Sequence, residues 1–295
     1  MIKRIFLFLL TNILVMVTIS ILLSVLGINR GISVNGIDYG SLMAFCLVWG
    51  MAGSFISLQM SRWMAKKMMS IQLLEPNSGG EHDWLYNRVS QISQAAGLPK
   101  TPEIGVYESP EVNAFATGPS KSRSLVAFST GLLQRMSKEE IEGVAAHEIA
   151  HIQNGDMVTM TLLQGVVNAF VMFLARVIGF FISQNVKEES RAMVQMIVVI
   201  VLDIALSILG SMVVFWFSRQ REFKADAGSA KLVGRDKMIA ALENLQRYQG
   251  LAHADEEHAS LNTMKINGTG KGFARLFMSH PPLQERIAAL STIRA

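Results

Sequence analysis

The sequence predicts a mainly α-helical integral membrane protein, with four membrane helices and a cytoplasmic α+β domain that carries a small β-sheet. Three observations lead there. First, of 295 residues half are hydrophobic and only 17% are charged, with a mean hydropathy of +0.32. Soluble domains carry about 25% charged residues, so ionic surface is too scarce to cover a water-soluble globule of this size. Second, four apolar runs reach the roughly 20 residues that a helix needs to cross the hydrocarbon core. Third, between about residues 75 and 157 the composition reverts to that of a soluble fold. The same figures exclude disorder, collagen and coiled coil. Lys and Arg exceed Asp and Glu by 27 − 23 = +4, too little to argue for nucleic acid as a partner. The single Cys46 closes no internal disulfide.

The first apolar run, 5–26, follows Lys3 and Arg4. It is too long for the apolar segment of a signal peptide and no small-residue cleavage site follows it, so it reads as an uncleaved anchor. The second, 41–60, ends at Arg62, Lys66 and Lys67, and its Gly50, Ala52, Gly53 and Ser54 allow close helix–helix approach. The runs 158–182 and 193–217 each hold one ionisable residue, Arg176 and Asp203. They either span or dip into the bilayer as long buried helices. A lone acid makes no proton relay, so a structural Arg176–Asp203 pair is the favoured reading of these two. Lys and Arg cluster on one face of the resulting four-crossing topology, which puts both termini and 62–157 in the cytoplasm. The domain organisation that follows is a two-helix membrane anchor (1–61), a cytoplasmic part (62–157), a second pair of membrane or membrane-dipping helices (158–217) and a C-terminal cytoplasmic helical part (218–295).

Within the polar segments, 81–96 has Leu85, Val89, Ile92 and Ala96 on one helical stripe and stops at Gly97 and Pro99. Short β-favouring runs at 103–107, 113–117 and 124–128, separated by Ser-Pro and Gly-Pro, predict a small sheet or a pair of hairpins. Ser137 and Glu140 form a capping box for a helix over 138–153 that ends at Asn154-Gly155. Three further helices are expected, around 219–232 (rich in Ala and Gly), over 236–248, and over 283–293 after Pro281-Pro282. The polar segment 249–272 between the last two reads as a loop or flap.

Chemistry is concentrated in His147-Glu148-Ile149-Ala150-His151. Four residues of α-helix turn through about 400°, so His147 and His151 share a face one turn apart, as two ligands of one small ion must. Neutral imidazoles suit Zn2+. Glu148 lies beside them, where it reaches a metal-activated water without binding the metal. The helix is otherwise apolar and has no structural use for two His and a Glu. A catalytic zinc site needs a third protein ligand and an open position. Glu222 opens a further helix, and Asp226, four residues on, could hold the outer N–H of a metal-bound His. The alternative for both acids is pairing with Arg219, Arg221 or Lys224. His253 and His258, which bracket Asp255-Glu256-Glu257, read as solvated rather than ligating.

The motif of 147–151 with the following Ile152-Gln153-Asn154-Gly155-Asp156, together with 113–118 (NAFATG), 221–226 (REFKAD) and Ser279-His280-Pro281-Pro282 with Arg286-Ile287, resembles the HtpX family along the whole chain. These are bacterial inner-membrane zinc endopeptidases related to the CaaX prenyl proteases and, more distantly, to thermolysin-like gluzincins. Gln153 departs from the wider pattern, which has an apolar residue there. The resemblance implies a gluzincin-like metalloprotease domain that binds one Zn2+ per subunit through His147, His151 and Glu222, with Glu148 as the general base. It further implies that Asn113 starts an edge strand holding substrate backbone and that His280 donates to the oxyanion. It also implies membrane-protein substrates, a multi-pass inner-membrane location with the site facing the cytoplasm, and quality control of damaged membrane proteins under stress. The competing class is a zinc-binding assembly or chaperone-like membrane protein without turnover, against which the intact Glu148 counts. No feature of the sequence specifies an oligomeric state.

Overall fold

The computed structural model describes Ile21 and residues 32–33, 36–76, 80, 82–258 and 278–292. The expected first span, 5–26, and the part 259–272 of the expected loop therefore lie outside the described residues, Ile21 apart. The chain divides into two compact units, 1–59 with 159–214, and 60–158 with 215–295.

The first unit holds a short hairpin of strands β1 (Ile32–Ser33) and β2 (Gly36–Ile37) and most of three long helices: α1 (Tyr39–Met68), α5 (Asp156–Ser183) and α6 (Glu188–Val233). These three are long and apolar enough to cross a membrane. Asp38 starts α1 by accepting hydrogen bonds from the Gly40 and Ser41 N–H groups (3.0 and 3.2 Å). Small residues let the helices meet backbone to backbone: a Cβ on Gly50 would lie 2.7 Å from the Ala169 nitrogen and 2.8 Å from the Gly165 oxygen. Arg176 lies 3.9 Å from Asp203 and also donates to the Met172 carbonyl. The outward side of α6 exposes Ile200, Val201, Ile204, Ile208 and Leu209, apolar surface of the kind lipid covers.

The second unit is α+β. Its sheet has the order β3-β4-β6-β5, from Gln72–Leu73, Glu103–Tyr107, Arg123–Ser129 and Ala114–Ser120 respectively. Strands β4 and β6 run parallel and the other neighbours antiparallel. The sheet is thus a single mixed one, because β6 pairs on both sides, with β5 as one edge. Helices α2 (Asp83–Ala95), α3 (Thr130–Arg135) and α4 (Lys138–Asn154) pack with it into one core. The stripe Leu85, Val89, Ile92 and Ala96 is buried there against Ile104, Val126, Phe128, Ile141 and Ile149. Ser137 and Glu140 make the reciprocal capping box of α4, and Gly155 ends the helix in the left-handed region at φ 72°. Gln153 is occupied structurally: its side chain donates to the Ala96 carbonyl at the end of α2 (2.8 Å), which accounts for a polar residue at this position.

Two helix boundaries differ from expectation. Residues 219–232 are not a separate helix but the end of the 46-residue α6, because nothing between Phe217 and Ala227 breaks a helix. The helix α7 (Arg235–His258) runs ten residues past Tyr248 in place of the loop expected there. Leu251, Ala252, Ala254, Glu256 and Glu257 are good helix formers, and Gly250 costs only about 1 kcal/mol. His253 and His258 fall in these last turns. Helix α8 (Leu283–Thr292) follows Pro281-Pro282 and packs Leu290 against Met238 and Leu242 of α7.

Candidate metal centre

Two helices bring the site together. Helix α4 carries His147, Glu148 and His151, and the last turns of α6 carry Glu222 and Asp226. Small residues on α6 allow the close approach. A Cβ on Gly228 would lie 2.7 Å from that of Ala150, and the Ser229 hydroxyl donates to the Gly143 carbonyl (2.9 Å). The Ala/Gly-rich composition of 225–230 is therefore an interface requirement.

The Nε2 atoms of His147 and His151 are 3.1 Å apart. The Glu222 carboxylate faces both, with Oε1 3.3 Å from His151 Nε2 and Oε2 3.6 Å from His147 Nε2. Each imidazole is held from behind by a carboxylate. His147 Nδ1 is 2.9 Å from Asp226 Oδ1, and His151 Nδ1 is 2.6 Å from Asp156 Oδ2. With both Nδ1 atoms committed to carboxylates, both Nε2 atoms and the Glu222 oxygens aim at one point, where protons or a cation must sit. The separations resemble the roughly 3.3 Å edge of a tetrahedron with bonds of 2.0–2.1 Å. Glu222 Oε2 is buried without a well-formed hydrogen bond. The residues present thus fit one divalent cation, and His147, His151 and Glu222 are the metal-competent group found among the described residues.

Burial alone would lower the basicity of both imidazoles, but their carboxylate partners outweigh it, and in the metal-free chain His147 and His151 hold protons more tightly than an ordinary histidine. Binding a cation then displaces those protons. Glu148 is raised as well, for a different reason. Burial raises it above the usual range, while the two imidazoles and a hydrogen bond from the Ala116 N–H pull it back.

A cleft of about 150 Å3 opens on the site. Asn113 and Ala114 line it beside His147, Glu148, Glu222 and His280. The Ser129 N–H donates to the Asn113 carbonyl (2.9 Å), so Asn113 turns its own backbone toward β6. Alternation then turns the backbone groups of Ala114 and Ala116 toward the free edge, which agrees with the bond from Ala116 to Glu148. His280, 65% exposed, places Nδ1 2.8 Å from Glu222 Oε2. All seven residues singled out from the sequence thus lie in or around one cluster. Glu222 and Asp226 face the imidazoles, whereas Arg221 lies 4.0 Å from Asp156 and Arg219 donates to the Met278 carbonyl.

Sequence reasoning gave no separate role to two members of the cluster. Asp156 had a signal: it is the first residue after a left-handed glycine cap, and the reversal at Gly155 folds it back onto the preceding turn. Arg286 had none beyond its place in a motif, since it arrives from 60 residues beyond Asp226 to bind both oxygens of that carboxylate (2.8 and 2.6 Å).

Comparison with known proteins agrees with this geometry. Residues 80–294 match the model of peptidase family M48. The chain is 55% identical to a protease HtpX homolog of Bacillus licheniformis, over 98% of each chain. It is 54% identical to that of Bacillus subtilis (98% and 99%) and 47% identical to protease HtpX of Thioalkalivibrio sulfidiphilus (99% of each). Its fold is that of the crystal structure of S. mikatae Ste24p, with a TM-score of 0.62 at 21% identity, over 98% of this chain and 66% of that one. Three helices of membrane-crossing length and two imidazoles that share a focus with one carboxylate are what a membrane metalloprotease requires, and this chain belongs to peptidase family M48.

Proposed function

We propose that this protein is a gluzincin-type zinc endopeptidase that hydrolyses peptide bonds of membrane proteins on the cytoplasmic side of a bacterial inner membrane, in quality control under stress. The observation that carries the reading is the shared focus of His147, His151 and Glu222 beside Glu148, at the foot of a cleft bordered by the free edge of β5. One Zn2+, bound by those three residues, supplies a Lewis acid for the scissile carbonyl and acidifies water to a pKa of about 7. The rest is done by the chain. Ala114 offers its N–H and C=O to an extended substrate, so that the peptide adds a strand to β5 behind Asn113. Glu148, raised by burial, takes the proton of the attacking water and passes it to the leaving amine. His280, whose Nδ1 lies 2.8 Å from Glu222 Oε2, has its other ring nitrogen for the developing oxyanion. Asp226 and Asp156 keep the two imidazoles in the ligating tautomer.

In this reading 1–61 is a two-helix anchor, 158–217 a second membrane pair, and 62–157 with 218–295 the peptidase part. The cytoplasmic orientation rests on the Lys and Arg that flank the apolar runs, and the quality-control role on the resemblance to the HtpX family. The test is Glu148→Gln in the full chain, purified in detergent. We expect one zinc per chain, as in the wild type, and a loss of at least about 10²-fold in cleavage of a membrane-protein substrate. Wild-type turnover by this variant ends the assignment, and zinc binding without turnover by the wild type supports the assembly-protein alternative.

A further inference from the structure

Glu222 and Asp226 stand four residues apart on one face of α6, and each is only 2% exposed. Two like charges one helical turn apart repel even on a solvated helix, and burial adds a desolvation cost that only counter-charges relieve. A bound cation answers for Glu222. For Asp226 the counter-charge is Arg286, itself 6% exposed, which grips both carboxylate oxygens through Nε and Nη2. The same guanidinium reaches across the metal centre. Its Nη1 is 3.5 Å from Glu222 Oε2 and its Nη2 is 3.5 Å from His147 Nδ1. Arg286 is delivered by α8, which is anchored on α7 through Leu290, Met238 and Leu242.

The geometry points to Arg286 as a positioning residue of the metal centre, through which the C-terminal helix α8 sets the site before metal arrives. Its planar fork fixes both oxygens of Asp226, so that Oδ1 meets His147 Nδ1 and leaves His147 Nε2 free to ligate. Its charge offsets that of the Asp226 carboxylate one turn from Glu222. A lysine would supply the charge without the fork, since an ammonium is a point donor. This inference rests on the metal-centre reading above and adds a residue that acts on the centre through Asp226.

The test uses the full chain in detergent, stripped with a chelator and titrated with Co2+ as the probe, whose visible absorption reports ligand geometry. Arg286→Met is expected to bind Co2+ about 10–100-fold more weakly than wild type, the range found when a ligand's outer partner is lost, with shifted absorption bands. Arg286→Lys falls between the two. Asp226→Asn/Arg286→Met loses no more than Asp226→Asn alone, because the arginine acts through that carboxylate. Wild-type affinity and bands in Arg286→Met overturn the inference, as do additive losses in the double variant. A purely structural arginine would lower the melting temperature of the stripped protein and leave both Co2+ readouts unchanged. If Arg286→Met fails to fold, Arg286→Lys decides, and wild-type affinity and bands in that variant overturn the inference. The readout is metal binding, so a wild type that takes up Co2+ yet cuts nothing ends the endopeptidase reading while the variants still decide the role of Arg286.

Discussion

At the scale of the residue, the centre is organised by what stands behind its two imidazoles. His147 and His151 could rotate about their side-chain bonds and present either ring nitrogen. Asp226 and Asp156 remove that freedom, at 2.9 and 2.6 Å from the two Nδ1 atoms. Asp156 is held between His151 and Arg221. Replacing it by Asn keeps the shape but removes the charge that strengthens the His151 N–H bond. We expect Asp156→Asn to weaken Zn2+ binding about 10–100-fold, measured by competition with a chromophoric chelator, with the helix content unchanged by circular dichroism. Wild-type affinity in this variant would show that His151 orients itself. The sequence pattern of two His and a Glu was readable because ligands spaced by one turn must recur at four residues. The supporting carboxylates have no such fixed spacing: one lies across a helix cap and the other on a helix 75 residues beyond His151.

At the scale of the element, α4 is held in place from outside by a three-helix clamp. Glu142 receives Arg88 of α2 through Nε and Nη2 (both 2.9 Å) and Lys237 of α7. Burial alone would raise the Glu142 carboxyl, but these two cations outweigh it and lower it below the ordinary range. A carboxyl whose folded value is depressed contributes stability above its unfolded value of about 4.3, and loses it as the pH falls through the folded value. Glu142→Gln should therefore cost about 1 kcal/mol at pH 7, the upper end for a partly exposed ion pair. The difference from wild type should start to shrink below the unfolded value of about 4.3 and vanish only below the depressed folded one. Denaturant titrations of the two proteins across that range measure it. A difference that persists in acid would mean that packing, not charge, holds the clamp. The element boundaries divide in the same way. Capping signals placed the ends of α4 closely, whereas the long α6 and the end of α7 carry no breaker and ran on beyond the limits that polarity suggested.

At the scale of the whole molecule, the proposed topology makes a claim about sidedness. Cys46 is buried, so the wild type offers no exposed thiol among its residues. In a Cys46→Ser background, a cysteine at Lys187, in the turn between α5 and α6, should react with a membrane-impermeant maleimide added to intact cells, and one at Arg135 should react only after lysis. The reverse pattern would turn the protein over in the membrane and put the peptidase outside. The mainly helical class, the long apolar helices and the paired imidazoles were legible in the chain, for direct physical reasons. Lipid demands long apolar helices, and two donors from one helix to one small ion must stand a helical turn apart. These are short-range rules that a run of neighbouring residues can satisfy, so composition, capping boxes and the motif at 147–151 were enough for long apolar helices, the bounds of α4 and a pair of imidazoles on one face. Spacing alone left Glu222 open between the imidazoles and nearby arginines, which the packing of Gly228 of α6 on Ala150 decides, and Arg286 gains a partner only through the docking of α8. Long-range partnership depends on which faces the helices bury against each other, and that is settled by packing summed over the chain rather than by any local spacing.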